Sequence, residues 1–320
     1  MQRRNFILGG TALATAGLAR AAFPERPVKL ILGFPPGTSV DLVARSWGQK
    51  LGELLGQGVV VDNRTGAGGQ IAAQAVARSA PDGYTLLLGE VGAIAIAPAA
   101  FSKLPYDPAR ELVGLCQVVS ADFVFVAPTS LPVQTLPEYV AWARARGDKL
   151  NFATLGAGSP VHFGGELFAQ AAGFPVESVH FRAANDAVAA LAGADVHGGF
   201  ASTAVAKSLV ATGRIRALAT TAAQRTPLFP QLPTFAESGF PQVAFTSWFA
   251  LFVPSGTSEP VRAAVSRAAL AALAVPEVQA RLQDAGFTVV AADAAQTQQM
   301  LKSEAQRWAQ VVKASGFKGD

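Results

Sequence analysis

From Val28 onward the chain alternates short β-rich runs with amphipathic helical ones, and this alternation constrains the fold more than any other feature. VKLILGF is followed by VDLVARSWGQKLGELLG, whose Leu42, Val43, Trp47, Leu51, Leu54 and Leu55 recur at helical spacing on one face. GVVVDN, QIAAQAVARSA and YTLLLGE continue the pattern, and so do DFVFVAP, LPEYVAWARARG, LNFATLG, HFGGELFAQAAG, VESVHF, DAVAALAGA, VHGGFAS, AVAKSLVATG and IRALATT. Strands alternating with helices predict an α/β protein with mainly parallel sheets. The strands are too many for one small sheet, and 320 residues suit two domains. Residues 122–128 and 244–254 are extended and apolar with no tight turn inside, so either can carry the chain between domains. If both cross, the first domain is discontinuous, with residues 23–122 plus 247–320, and the second holds residues 123–246. Two crossings make a hinge with a cleft between the domains.

The first 22 residues stand apart. MQRRNFILGGTALATAGLARAA has a basic start, an apolar run and small residues at Ala19 and Ala21, the layout of an export signal cleaved near Ala21 or Ala22. Arg3-Arg4 before Asn5-Phe6-Ile7 resembles a twin-arginine motif with Gln2 in place of the usual Ser or Thr, and an ordinary Sec signal is the alternative. This segment also explains the formal charge of +4: without its three arginines, 23 basic residues face 22 acidic ones. No nucleic-acid partner is therefore expected. The mature chain should not span a membrane, because no later stretch is long and uncharged enough.

The junctions between strands and helices carry the chemistry. In FPPGTSVD, Pro35 and Pro36 stiffen the exit from a strand, Gly37 turns the chain, and Thr38 or Ser39 caps the next helix. Thr38 with Asp41 has capping-box spacing. The free N–H groups of that helix start can hold an anion without a charged side chain, although a plain capped turn is the bland reading. NFATLGAGSPVHFGGELF repeats the arrangement: Gly156 and Gly158, a capping Ser159, Pro160 in the first turn and His162 just inside the helix, expected to face the cleft. NRTGAGGQIAAQ, with Gly66, Gly68 and Gly69, is a third such junction. Two facing helix starts, one per domain, would grip one carboxylate from both sides.

Enzyme readings fare poorly. The chain has no GxGxxG, no GK[ST] and no GxSxG. Its one cysteine, Cys116, lies in the apolar stretch LVGLCQVV, a place for a core residue rather than a nucleophile. His162, His180 and His197 lack metal-ligand spacing, so neither metal nor cofactor is expected.

The long ordered motifs resemble the substrate-binding proteins of tripartite tricarboxylate transporters, the Bug receptors. They are FPERPVKLILGFPPGTSVDLVAR, VVVDNRTGAGGQIAAQAVARSAPDGYTLLLG, KLPYDP, LNFATLGAGSPVHFGGELF, GRIRALATT with QLPTFAESGFP, and SWFALFVPSGT. The resemblance covers the chain from about Phe23 to its end. It implies a type II periplasmic-binding-protein fold, in which two α/β domains on a two-strand hinge close on a small carboxylated metabolite. It also implies membrane permease subunits as partners, no cofactor, a periplasmic location and a monomer. A sensory receptor of the same fold, docking on a membrane sensor protein, remains the alternative, and an exported α/β enzyme is a third reading. The matching loops fall on Phe34, Pro35, Pro36, Gly37, Thr38, Ser39 and Asp41, and on Gly156, Gly158, Ser159 and His162.

The departures from the family pattern mark further candidates. Glu90 stands where the family usually has a small hydroxyl residue, either repelling a second carboxylate or accepting a hydrogen bond from a ligand hydroxyl or amide, or else pointing to solvent or pairing with Arg182. Phe181-Arg182-Ala183 replaces a Tyr-Lys-Gly pattern, and Arg182 is expected near the cleft. Ala201, beside Ser202, stands where the family often has an Asp, which argues against an ammonium-bearing ligand.

Overall fold

The computed structural model describes residues 23–181 and 184–319. The export signal expected at residues 1–22, and Arg182, lie outside the described residues. In chain order the elements are β1 Val28–Leu32, α1 Ser39–Leu55, β2 Val59–Asn63, α2 Gln70–Ala77, β3 Thr85–Glu90, α3 Ala97–Ala100, α4 Pro108–Glu111 and β4 Leu112–Pro128. Then come α5 Leu136–Arg146, β5 Leu150–Thr154, α6 Pro160–Ala172, β6 Val176–His180, α7 Ala184–Gly193, β7 Gly198–Ser202, α8 Thr203–Ala211 and β8 Ile215–Thr220. β9 Thr246–Pro254, α9 Glu259–Leu273, α10 Pro276–Asp284, β10 Thr288–Ala292 and α11 Ala294–Ser315 complete the chain.

The long strand β4 organises both lobes. Its first part, up to Asp122, pairs with β9 and β10; from Phe123 it pairs with β7 and β8. The first lobe runs β2-β1-β3-β9-β4, with β10 on the far side of β4, and the second runs β4-β7-β5-β6, with β8 also on β4. The chain enters β9 beside the same junction, where Thr246 pairs with Asp122.

Two expectations need correction. The strand expected at residues 122–128 begins at Leu112 and absorbs LVGLCQVV, because β9 and β10 flank that stretch and bury Leu115, Cys116, Val118 and Val119. The sheets are also less parallel than expected. β1, β2 and β3 are parallel, as are β5, β6 and β7, but β4, β8, β9 and β10 make antiparallel pairs. A strand that leaves one lobe for the other must be matched by one that returns, and neighbours running out and back are antiparallel.

Burial follows the amphipathic pattern. In the first lobe Val43, Trp47 and Leu51 of α1 are fully buried, and the Trp47 indole N–H donates to Ala269 O of α9 at 3.2 Å. Leu42 and Leu54, assigned above to the same face, are about half exposed because they sit at the edge of that stripe. The second lobe is built around Phe125, whose ring meets Tyr139, Phe152, Phe168 and Phe200 at centroid distances of 4.9–5.3 Å. Cys116 is fully buried, and burial pushes its thiol up to about 12. No helix among the described residues is long and apolar enough to cross a membrane.

Candidate ligand-binding cleft

A cavity of about 350 Å³ lies between the lobes, next to the point where β4 changes partners. The first lobe contributes Phe34, Ser39, Glu90, Ser247, Phe249 and Phe287 to its lining. The second contributes Phe123, Thr154, Pro160, Val161, Ala201 and Ser202, with side chains of α7 and α8. The polar side chains come from one edge of the two lobes. Glu90, Thr154 and Ser202 end their strands, Ser39 opens α1, and Ser247 stands near the start of β9. Phe34, Ser39, Glu90, Ala201 and Ser202, five of the residues picked out in the sequence, therefore share one cavity.

The first loop forms as its local chemistry dictates. Thr38 is the N-cap of α1: its hydroxyl accepts from Asp41 N–H at 3.3 Å and donates to Pro35 O at 2.9 Å. Asp41 reaches back one residue further than a simple capping box would, accepting from Gly37 N–H at 3.0 Å. It also accepts from Arg45 Nε and from Asn63 Nδ2, each at 2.9 Å. The Arg45 guanidinium is the chief reason its carboxyl is held down at about 2, with Gly37 and Asn63 adding to the effect against the cost of burial. Asp41 is only 4% exposed and stands outside the cavity lining, with Gly37 and Thr38. What the loop offers the cavity is Ser39 and the start of the helix, where the N–H groups of Ser39 and Val40 find no partner inside the helix.

The second loop repeats this pattern. Ser159 is the N-cap of α6, accepting from His162 N–H at 3.2 Å and donating to Gly156 O at 2.9 Å. Gly158 N–H donates to His162 Nδ1 at 3.1 Å. The φ of Gly158 is +80°, which favours glycine, and a Cβ there would stand a tight 3.1 Å from the Phe101 ring of the other lobe. Ser159 reaches the cavity only through Thr154, whose Oγ1 is 3.4 Å from Ser159 Oγ.

His162 does not face the cleft as expected. It is 4% exposed and packs against Phe163, His180 and Phe317, with ring centroids 4.5–5.2 Å away. Burial, reinforced by His180, lowers its pKa to about 4, so at neutral pH it is an uncharged acceptor for the loop. Sequence spacing places His162 in the first turn but cannot say which face of α6 the C-terminal Phe317 covers.

Glu90 lines the cavity and does not point to solvent, one of the alternatives the sequence left open. It is 7% exposed and forms no salt bridge among the described residues. Its Oε2 accepts from Gly92 N–H at 2.8 Å and its Oε1 from Ala93 N–H at 3.0 Å, closing the start of the turn that follows β3. Gly92 leaves the room for this, since a Cβ there would lie 2.6 Å from Oε1. Burial pushes the carboxyl up to about 7 while the two N–H donors pull it down. The third glycine junction lies outside the lining; its Gly69, with φ +86°, packs against Glu90 instead.

Other lining residues carried no sequence signal. Thr154 and Ser247 are hydroxyls at the ends of largely apolar strands, and Val188, Leu191, Val205 and Leu209 read simply as the apolar faces of short helices. The start of α8 is a further helix N-terminus at the cavity: Ser202 is its N-cap residue and makes no side-chain cap bond.

Known proteins agree with this architecture. The Bordetella pertussis protein BugT is 35% identical over 314 residues, covering 97% of this chain and 96% of BugT. MatC from Rhodopseudomonas palustris, solved with bound malate, superposes with a TM-score of 0.77 at 31% identity, covering 91% of this chain and all of MatC. An R. palustris protein solved with adipate gives a TM-score of 0.80 at 30% identity, covering 92% of this chain and 99% of its own. The profile of the tripartite tricarboxylate transporter family receptor matches residues 43–317. A two-lobed α/β chain with a polar-rimmed cleft at its strand crossing, matched along nearly its whole length, belongs to the tripartite tricarboxylate transporter receptor family, the Bug receptors.

Proposed function

We infer that this protein is a periplasmic receptor that captures a small carboxylate between its lobes and delivers it to the permease of a tripartite tricarboxylate-type transporter. The cavity carries this reading: both lobes line it, and helix starts from both meet there. Relatives solved with malate and adipate support a carboxylate as ligand. The leader-like first 22 residues support export. We assign residues 23–122 with 247–320 to one domain and 123–246 to the other, because β4 changes partners at Asp122/Phe123 and Thr246 opens β9 opposite Asp122.

The ligand carboxylate is held by Ser39 and the first N–H groups of α1 from one side, and by Ser202 and the start of α8 from the other. Gly37, Thr38, Gly158 and Ser159 shape the loops, while Asp41 and His162 brace them. Phe34 and Ala201 complete the wall. A ligand touching both lobes stabilises the closed state by the contacts that only closure creates. The receptor works as a monomer, without metal or cofactor.

Mass spectrometry of small molecules co-purifying from a periplasmic extract identifies the ligand, and small-angle scattering then compares free and saturated protein. The saturated protein should be more compact. Identical scattering curves would overturn closure, and a substrate consumed rather than bound would overturn the receptor reading.

A further inference from the structure

Resting on that receptor reading, we propose that the cleft selects a monocarboxylic acid with an apolar aliphatic or aromatic body, and disfavours a second carboxylate at the far end of the ligand. The polar side chains of the lining are four hydroxyls, Ser39, Thr154, Ser202 and Ser247, and one acid, Glu90. All five come from the strand ends and the α1 start. No lysine or arginine is among the described lining residues.

The rest of the cavity is apolar on two walls. Phe34, Phe249 and Phe287 form an edge-to-face ladder with successive centroids 5.7 Å apart. Opposite them, Val188 and Leu191 of α7 and Val205 and Leu209 of α8 make an aliphatic wall from residues spaced one helical turn apart. Leu155 and Val205 are 50% and 48% exposed although both are apolar and line the cavity, so each stands ready to cover an apolar ligand.

One carboxylate is accommodated at the hydroxyl-lined edge. A second, on a chain long enough to reach between the phenylalanines and the aliphatic wall, would be desolvated with no cationic side chain among the described lining residues to receive it. Placed back beside the polar edge it meets the Glu90 carboxyl, whose oxygens already accept from Gly92 and Ala93. This departs from the dicarboxylates held by the two R. palustris relatives.

Hexanoate and adipate share a six-carbon chain and differ only in the second carboxylate. Calorimetry at neutral pH on the mature protein should find hexanoate tighter by roughly tenfold or more. Val205→Arg, at a half-exposed position, should shift the ratio toward adipate by roughly tenfold by placing a cation in the apolar part of the lining; Val188→Lys serves if that variant does not fold. Adipate binding as tightly as hexanoate, or a folded Val205→Arg protein with an unchanged ratio, would overturn the selectivity and leave the receptor reading standing. If neither acid binds at millimolar concentration, the proposed ligand class is wrong, and the co-purified molecule decides the receptor reading separately.

Discussion

The two cleft loops are built on one plan and differ in a single choice. In each, a glycine N–H is accepted by the side chain four residues on, Gly37 by Asp41 and Gly158 by His162. In each, a hydroxyl between them caps the helix and ties back to a carbonyl three residues earlier. The first loop uses an ionised acceptor, buried against Arg45 and Asn63; the second uses a neutral imidazole buried among aromatic rings. Identical backbone geometry is thus compatible with opposite electrostatics. The Asp41 charge is spent on its own guanidinium and amide partners. The neutral His162 adds no charge at the start of α6.

Removing the ionised brace should have the largest effect. Asp41→Ala leaves Arg45, Asn63 and Gly37 without their shared acceptor and should lower stability by about 3 kcal/mol in urea unfolding. A loss smaller than that of the matching His162→Ala variant would show that the charged brace is not the stronger one.

His162→Ala should cost about 2 kcal/mol through lost packing and one orphaned N–H. Its clearer signature is pH. The folded imidazole titrates at about 4 against an ordinary 6.5, so the unfolded chain takes up the proton first. The stability it contributes is present above pH 6.5 and lost as pH falls to about 4. Glu90, raised from 4.5 to about 7, works in the opposite direction: its proton is bound more tightly in the folded protein, so stability falls as pH rises through that window. The wild-type profile therefore shows a partial cancellation. His162→Ala should uncover the Glu90 slope, and parallel profiles for the two proteins between pH 4 and 6.5 would refute the buried neutral histidine. In the other loop, Asp41→Asn should change the profile only at lower pH, where the wild-type carboxyl protonates between its ordinary 3.8 and about 2.

The smallest effects belong to the caps. Thr38→Val and Ser159→Ala should each cost about 1 kcal/mol. Combined, they should weaken ligand binding without unfolding the protein, because the helix starts they shape lie at the cleft. Unchanged affinity in a folded double variant would move the anion site away from both loops.

What could be read from the residues in order was the local chemistry. The caps made by Thr38 and Ser159 and the Asp41 bonds to Gly37 and Arg45 span four residues or fewer, so spacing alone encodes them, whereas Asn63 joins Asp41 from a distant strand. Helix faces such as that of Trp47, and the alternation of strands and helices, are periodic in the same local way. Tertiary structure alone decided whatever depends on distant partners. The C-terminal Phe317 turns His162 from the cleft into the interior, and β9 and β10 extend β4 back to Leu112. The packing of the two lobes buries Glu90 at the cavity, and α7, α8, Phe249 and Phe287 converge into apolar walls. Hydrogen bonds across a few residues need only the chain's own geometry. The direction of a side chain out of its helix or strand is settled by what packs against it, and those partners lie far away in sequence.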